Sequence, residues 1–340
     1  MKDVAKRAGV AVITVSRVIT GTSYVHGATR EKVHAAIEEL QYVPNRMASS
    51  LRSHQTNTLA LLLPTITQSF WTTIARGVED EAESRGYSVF FCNTDDDPAK
   101  EARYIEVLLR YQVDGLALVP TAESGPQLQR LLQRQMTFVQ LHRKVTGIEA
   151  DVVRADSYGG ATVLTRQLLD AGLRQIAYVG GPLTTFTGSE RLAGYKATLM
   201  AADVAIDPAF IKIGLYSQQT GYRLVRELLQ ADRRPEALFI ANAQLAIGAL
   251  HALMEAGLRL SHDITVASYY DEQAREDYSP FLTTAIQPTY EIGRLGIRRL
   301  LDRIAGKQMT VEDHILPNRI MIRTDGHVPG QSAFQHTTAL

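Results

Sequence analysis

From Thr58 onward the chain alternates short, unbroken apolar runs with longer stretches of helical period. The apolar runs at Leu59–Leu63, Ser88–Asn93, Gly115–Val119, Phe138–Leu141, Gln175–Val179, Ala237–Ile240 and Thr265–Ser268 predict strands. Between them, Ile74–Arg85, Arg103–Tyr111, Tyr158–Ala171, Tyr222–Leu229 and Ala243–Ala256 repeat apolar positions every three to four residues, as amphipathic helices do. Strands that are apolar on both faces and alternate strictly with helices predict parallel sheets covered on both sides. About 270 residues of this pattern exceed one sheet, so an α/β core of two doubly wound lobes with a cleft between them is expected.

The first 55 residues read differently. Lys2–Ala8, Val12–Thr20 and Thr29–Leu40 predict three short helices, with Thr29 as the capping residue of the third. Pro44 closes this all-α head. Asn45–Arg52 adds one more short helical pattern, and Ser53–Asn57 is a polar linker. The expected organisation is a head over residues 1–44, a hinge and linker over 45–57, and a core over 58–325. Within the core, one lobe takes 58–156 and 288–316 and the other takes 157–287 and 317–325, with a frayed tail over 326–340.

Composition narrows the function classes. Apolar residues make up 45% of 340 and charged residues 21%, which suits a folded protein with a sizeable core. No run approaches a membrane span, and Met1-Lys2-Asp3 leads into charged sequence with no apolar signal segment, so a cytoplasmic protein is expected. The single Cys92 allows no internal disulfide and no cysteine-based metal cage; no metal and no cofactor are expected. The net charge is zero, yet residues 1–55 hold eight Lys or Arg against four acids, a small basic head on an acidic body. Nucleophile-elbow, phosphate-loop and zinc-helix motifs are absent, which argues against an enzyme.

The spacing of Ala5, Gly9 and Val15 is that of a helix-turn-helix: a small residue for close approach, a glycine for the turn and a β-branched residue to lock the second helix. Val15, Val18 and Ile19 share its inner face. The outer face carries Val12, Ile13, Ser16, Arg17 and Thr20, a mixture suited to a major groove. A plain three-helix bundle with Val12 and Ile13 buried is the alternative.

Here the chain resembles the lactose-repressor (LacI) family of bacterial regulators. The resemblance is carried by Asp3-Val4-Ala5-Lys6-Arg7-Ala8-Gly9-Val10, Thr14-Val15-Ser16-Arg17-Val18, Tyr42-Val43-Pro44-Asn45, Arg191-Leu192-Ala193-Gly194-Tyr195 and Ala246-Ile247-Gly248-Ala249. It implies a homodimeric repressor of a bacterial catabolic operon that binds palindromic operator DNA, with a periplasmic-binding-protein-like core that senses a small molecule. It places Val12, Ile13, Thr14, Ser16, Arg17 and Thr20 on the DNA, followed by a hinge helix with Asn45 and Ala48 and with Leu51 as the minor-groove wedge, packing of Leu51 and Met47 on the head being the alternative. Ala11 stands where the family usually has a capping Ser or Thr, and Met1 stands at a usually internal position, so a capping residue ahead of it is expected to be missing. A solute-binding protein without a DNA role is the alternative for the whole chain, although it would have no use for residues 1–52.

For the cleft, the resemblance points to Thr65, Phe70, Trp71, His142, Arg143, Asp156, Arg191, Tyr216, Asn242, Tyr270 and Asp271. Phe70 and Trp71 are expected on a loop at the cleft mouth, with core packing as the alternative, and Arg191 as a fixed cation. Three positions depart from the family: His142 and Tyr270 replace usual aspartates, and Asn242-Ala243 replaces a frequent Asn-Asp pair. Carboxylates suit neutral polyols. Their loss implies an effector that is anionic, or has an aromatic or apolar face, rather than a free monosaccharide. The alternative is that Asp271 and Asp95 take over the lost roles.

Overall fold

The computed structural model describes residues 1–21, 23–42, 55–270 and 283–322. The chain forms two compact units, Met1–Thr56 and Asn57–Leu340.

The first unit contains α1 (Lys2–Ala8), α2 (Val12–Thr20) and α3 (Gly27–Glu39). Its core is small: Val4, Ala5, Val15, Val33 and Ala36, with Val18, Ile19 and Ile37 packed against it. Gly9 ends α1 with φ 65°, a left-handed conformation that costs glycine little, and the Val10 amide donates back to the Ala5 carbonyl. α3 begins at Gly27 rather than at Thr29. The His26 carbonyl accepts from both the Thr29 and Arg30 amides, so the first turn closes ahead of the threonine expected to cap it.

The second unit holds two six-stranded sheets. The first follows the order β11-β5-β4-β3-β1-β2, with β1 (Thr58–Leu63), β2 (Ser88–Asn93), β3 (Gly115–Leu118), β4 (Phe138–Leu141), β5 (Asp151–Ala155) and β11 (Asp313–Leu316) all parallel. The pleat sends alternate β1 residues to opposite faces. Leu59, Leu61 and Leu63 meet α4 (Ser69–Ser84) and α11 (Thr289–Ile304). Ala60 and Leu62 meet α5 (Pro98–Arg110) and α6 (Gly125–Gln133) on the other side. α4 and α11 cross in close contact: a Cβ on Gly77 would lie 2.1 Å from the Tyr290 carbonyl oxygen, and one on Gly293 2.1 Å from that of Ile74.

The second sheet runs β12-β10-β9-β8-β6-β7, with β6 (Ile176–Gly180), β7 (Ile211–Ile213), β8 (Ala237–Ile240), β9 (Thr265–Tyr270), β10 (Thr283–Ile286) and β12 (Arg319–Met321). Only β12 departs from the parallel pattern, pairing antiparallel with β10. One face packs on α7 (Ser157–Asp170) and α8 (Phe186–Ala201), the other on α9 (Gln218–Leu229) and α10 (Ala243–Glu255). The chain passes between the lobes after β5, after β10 and between β11 and β12. The α/β class with two doubly wound lobes and a helical head is thus realised.

Candidate functional site

In the head, Val15 is fully buried whereas Val12 and Ile13 are 42% and 55% exposed, so the bundle with both buried is excluded. Thr14 and Ser16 are half-buried beside them and Arg17 is exposed. Ala11 precedes α2 with extended backbone and no side-chain cap, and Met1 occupies the equivalent place before α1, also without one. The Thr20 side chain, Asn45, Ala48 and Leu51 lie outside the described residues.

In the core, a cavity of about 610 Å³ opens between the two lobes, beyond the carboxyl ends of their strands. This is where open α/β sheets bind ligands, and the size suits a small molecule. Thr65, Phe70, Trp71, His142, Arg143, Arg191, Tyr216, Asn242 and Tyr270 all line it. Asp271 lies outside the described residues. Asp156 does not line the cavity. Its carboxylate accepts from the Gly159 amide at 2.7 Å and caps α7, the ordinary use of an aspartate just ahead of a helix.

Phe70 and Trp71 do not sit on a loop. The Gln68 carbonyl accepts from the Trp71 and Thr72 amides, so α4 starts at Ser69 and carries both rings in its first turn. Trp71 is only 7% exposed and also belongs to the lobe core. The two rings meet edge-on at 4.7 Å, and His142 stands against both, at 4.8 Å from Phe70 and 5.3 Å from Trp71. His142 is held at φ 61° in a tight turn whose Arg143 amide donates to the Leu141 carbonyl at 2.6 Å. Such strain at a non-glycine residue tends to mark a functional position. Burial, then the charges of Arg191, Arg143 and Arg154, hold the imidazole well below its usual pKa, so His142 is neutral at physiological pH.

Arg191 comes from α8 and is almost fully buried. Its Nη1 donates to the Ala241 carbonyl at 2.5 Å and its Nη2 to Gln287 Oε1 at 3.0 Å, while the guanidinium lies 4.0 Å from the Tyr269 ring centroid. Arg143 donates to both oxygens of Asp96, at 2.5 and 3.2 Å. Asn242 caps α10 through the Leu245 amide. Sequence reasoning missed Asp96 and Gln287, which also line the cavity. Asp96 follows a predicted strand, so the strand-end rule pointed to it. Gln287 follows β10, whose Thr-Thr-Ala-Ile is too short and too polar to stand out as a strand in the sequence.

Among the described residues, no helix is long and apolar enough to cross a membrane, and no cluster of His, Cys, Asp and Glu is placed to hold a metal.

A two-lobed core with a ligand-sized cleft, preceded by a helix-turn-helix head, defines a class of ligand-responsive DNA-binding regulators. The chain matches the model of bacterial regulatory proteins of the lacI family over residues 1–45 and that of periplasmic binding proteins and sugar binding domains of the LacI family over residues 56–319. It belongs to the LacI family of transcriptional regulators. It is 37% identical over 306 residues to the ribose operon repressor of Escherichia coli (strain K12), covering 89% of this chain and 92% of that one. It is 32% identical to the transcriptional repressor PurR of Haemophilus influenzae (strain PittEE), covering 92% and 94%. Among solved structures, the lac repressor dimer bound to operator and an anti-inducer superposes with a TM-score of 0.86 at 28% identity, covering 94% and 97%. A LacI-family regulator from Enterococcus faecium with bound ribose gives 0.70 at 30% identity, covering 78% and 97%. Family membership over both parts of the chain sets aside a solute-binding protein without a DNA role.

Proposed function

We propose that this chain represses transcription as a homodimer on a two-fold symmetric operator, reading bases with Val12, Ile13, Ser16 and Arg17. A small molecule in the lobe cavity, a sugar or sugar derivative, shifts the relative positions of the lobes and thereby the spacing of the paired heads. Asn45, Ala48 and Leu51 serve in the hinge that enters the minor groove. Operator, ribose and dimer are named for the structural relatives and support this reading.

The observation that carries it is the exposure of Val12 and Ile13 on a helix whose opposite side is locked by buried Val15. A folded domain leaves two large apolar side chains of its second helix in water at little benefit to its own stability. Major-groove thymine methyls are suitable partners.

The DNA upstream of the protein's own coding region is the first test. Fluorescence anisotropy with that duplex should show binding that weakens steeply with salt, because phosphate contacts release counterions. Binding indistinguishable from that of a scrambled duplex would count against the proposal.

A further inference from the structure

Hydrogen-bonding capacity in the lobe cavity is unevenly distributed. The carboxylates that line it, and two of its amides, are already engaged. Both Asp96 oxygens accept from Arg143, and Asp95 accepts from Lys100 and Asn93, each at 2.5 Å. Gln287 Oε1 is taken by Arg191 and Asn242 Oδ1 by a backbone amide. Buried polar atoms without a partner are instead Arg191 Nε, Arg143 Nε, His142 Nδ1 and the Tyr216 hydroxyl. Arg191, Arg143 and His142 are only 3%, 6% and 5% exposed.

Guanidinium nitrogens can only donate. Leaving such groups buried and unpaired costs far more than a hydrogen bond returns, and the cost falls when a ligand brings acceptors. Charge runs the same way. Arg143 is balanced by Asp96, whereas neither side-chain partner of Arg191, Gln287 or the Tyr269 ring, is an anion. A neutral polyol brings as many donors as acceptors, whereas the two carboxylates of the described lining, Asp95 and Asp96, already accept from Lys100, Asn93 and Arg143.

We infer that the cavity selects a small organic anion, a carboxylate or phosphate ester whose charged head is held near Arg191 while its carbon skeleton lies against Phe70 and Trp71. The inference rests on the proposed function only in taking this cavity as the ligand site, and it narrows the sugar derivative to an acidic one. Carboxylate and phosphate share the required chemistry, acceptor oxygens with negative charge and no obligatory donors, and the test separates them.

Trp71 is the only tryptophan, so fluorescence of the full-length protein, excited at the red edge where its tyrosines do not absorb, reports on the cavity. Iodide, caesium and acrylamide serve as anionic, cationic and neutral quenchers. Normalised to N-acetyltryptophanamide, on which iodide is already the stronger quencher, the iodide-to-caesium ratio should be about threefold higher in the protein, as a net positive charge nearby requires. The bias should disappear in Arg191→Met and persist in Arg191→Lys, with acrylamide checking that Trp71 remains equally accessible. In parallel, thermal unfolding is followed with matched pairs: glucose against glucuronate, and ribose against ribose 5-phosphate. The charged member of a pair should raise Tm more than its neutral counterpart, and which pair responds distinguishes carboxylate from phosphate.

An iodide-to-caesium ratio no higher than that of N-acetyltryptophanamide in the unmodified protein would overturn the inference, as would stabilisation by the neutral members alone. If no pair member shifts Tm, the quenching ratio decides by itself. Anion selectivity without any operator binding would remove the regulatory reading and leave this inference standing.

Discussion

Arg154 on β5 and Glu190 on α8 meet across the two lobes, with Nη1 and Oε2 3.0 Å apart. Arg154 is anchored from behind by Asp313, at 2.8 Å, and lies over the Phe186 ring. The lobes are therefore tied by one charged side chain that two acids share.

The two partners should respond differently to substitution. Burial raises the Glu190 carboxyl above its usual pKa, although Arg154 pulls it down. A raised pKa means that the folded state favours the protonated acid, so the contribution of Glu190 to stability declines as pH rises through that value. Glu190→Gln should therefore change Tm little at neutral pH, whereas Arg154→Met leaves Glu190 without its partner and Asp313 with Lys144 alone, and should lower it. A double-mutant cycle on thermal unfolding should give a coupling of about 0.5–3 kcal/mol. Strict additivity would mean the tie contributes nothing.

Asp151 is the acid whose loss should matter most in the first lobe. It is 1% exposed and receives the guanidiniums of Arg299, at 2.9 Å, and Arg303, at 2.5 Å. Burial pushes its carboxyl up, but Arg303, Arg299 and the Glu312 amide outweigh that and hold it below the usual carboxylate range. A depressed pKa contributes stability above about pH 4 that is lost as pH falls through the depressed value. Asp151→Asn should cost about 3–5 kcal/mol at neutral pH, the usual loss when one partner of a buried pair is removed. Its urea-unfolding free energy should also fall less steeply on acidification than that of the unmodified protein.

Ala11 offers a gain of stability. It begins α2 in an extended conformation with no side-chain cap. Ala11→Ser should let a hydroxyl accept from an amide of the first turn and stabilise the head by about 0.5–2 kcal/mol. Hydrogen exchange at the Ile13 and Thr14 amides reads this directly; unchanged protection would show that packing alone fixes the helix start.

Val15 and Ile13 separate folding from recognition. Val15 is fully buried and Ile13 is 55% exposed on the same helix. Val15→Ala should destabilise the head by about 1–3 kcal/mol. Ile13→Ala should stay within about 0.5 kcal/mol of the original while weakening operator binding. Circular dichroism melts and anisotropy titrations of the two variants should give opposite rankings.

These residues also show what the sequence made legible. Leu59–Leu63 was readable as a strand because every one of its side chains is buried, as in a sheet covered on both faces. β7 and β11 escaped notice because their residues are mainly half-exposed and Asp313 opens β11 as an ion-pair partner. α8 carries Glu190 and Arg191, whose partners lie on distant segments and leave no local pattern in the sequence. The cavity positions of His142, Arg143 and Arg191 were legible through strand ends and family resemblance. The commitment of Asp96 to Arg143 was not, since a bidentate pair between residues 47 positions apart leaves no local periodicity.

The proposed regulation depends most on the outer face of α2 acting in duplicate on DNA. Selection of duplexes from a random pool by the full-length protein, followed by sequencing, tests this with no operator chosen in advance. The enriched sequences should converge on an inverted repeat with two equivalent half-sites, and the Arg17→Ala protein should fail to enrich it. A pool that stays random, or converges on a single asymmetric site that Arg17→Ala enriches equally well, would contradict paired recognition by this helix.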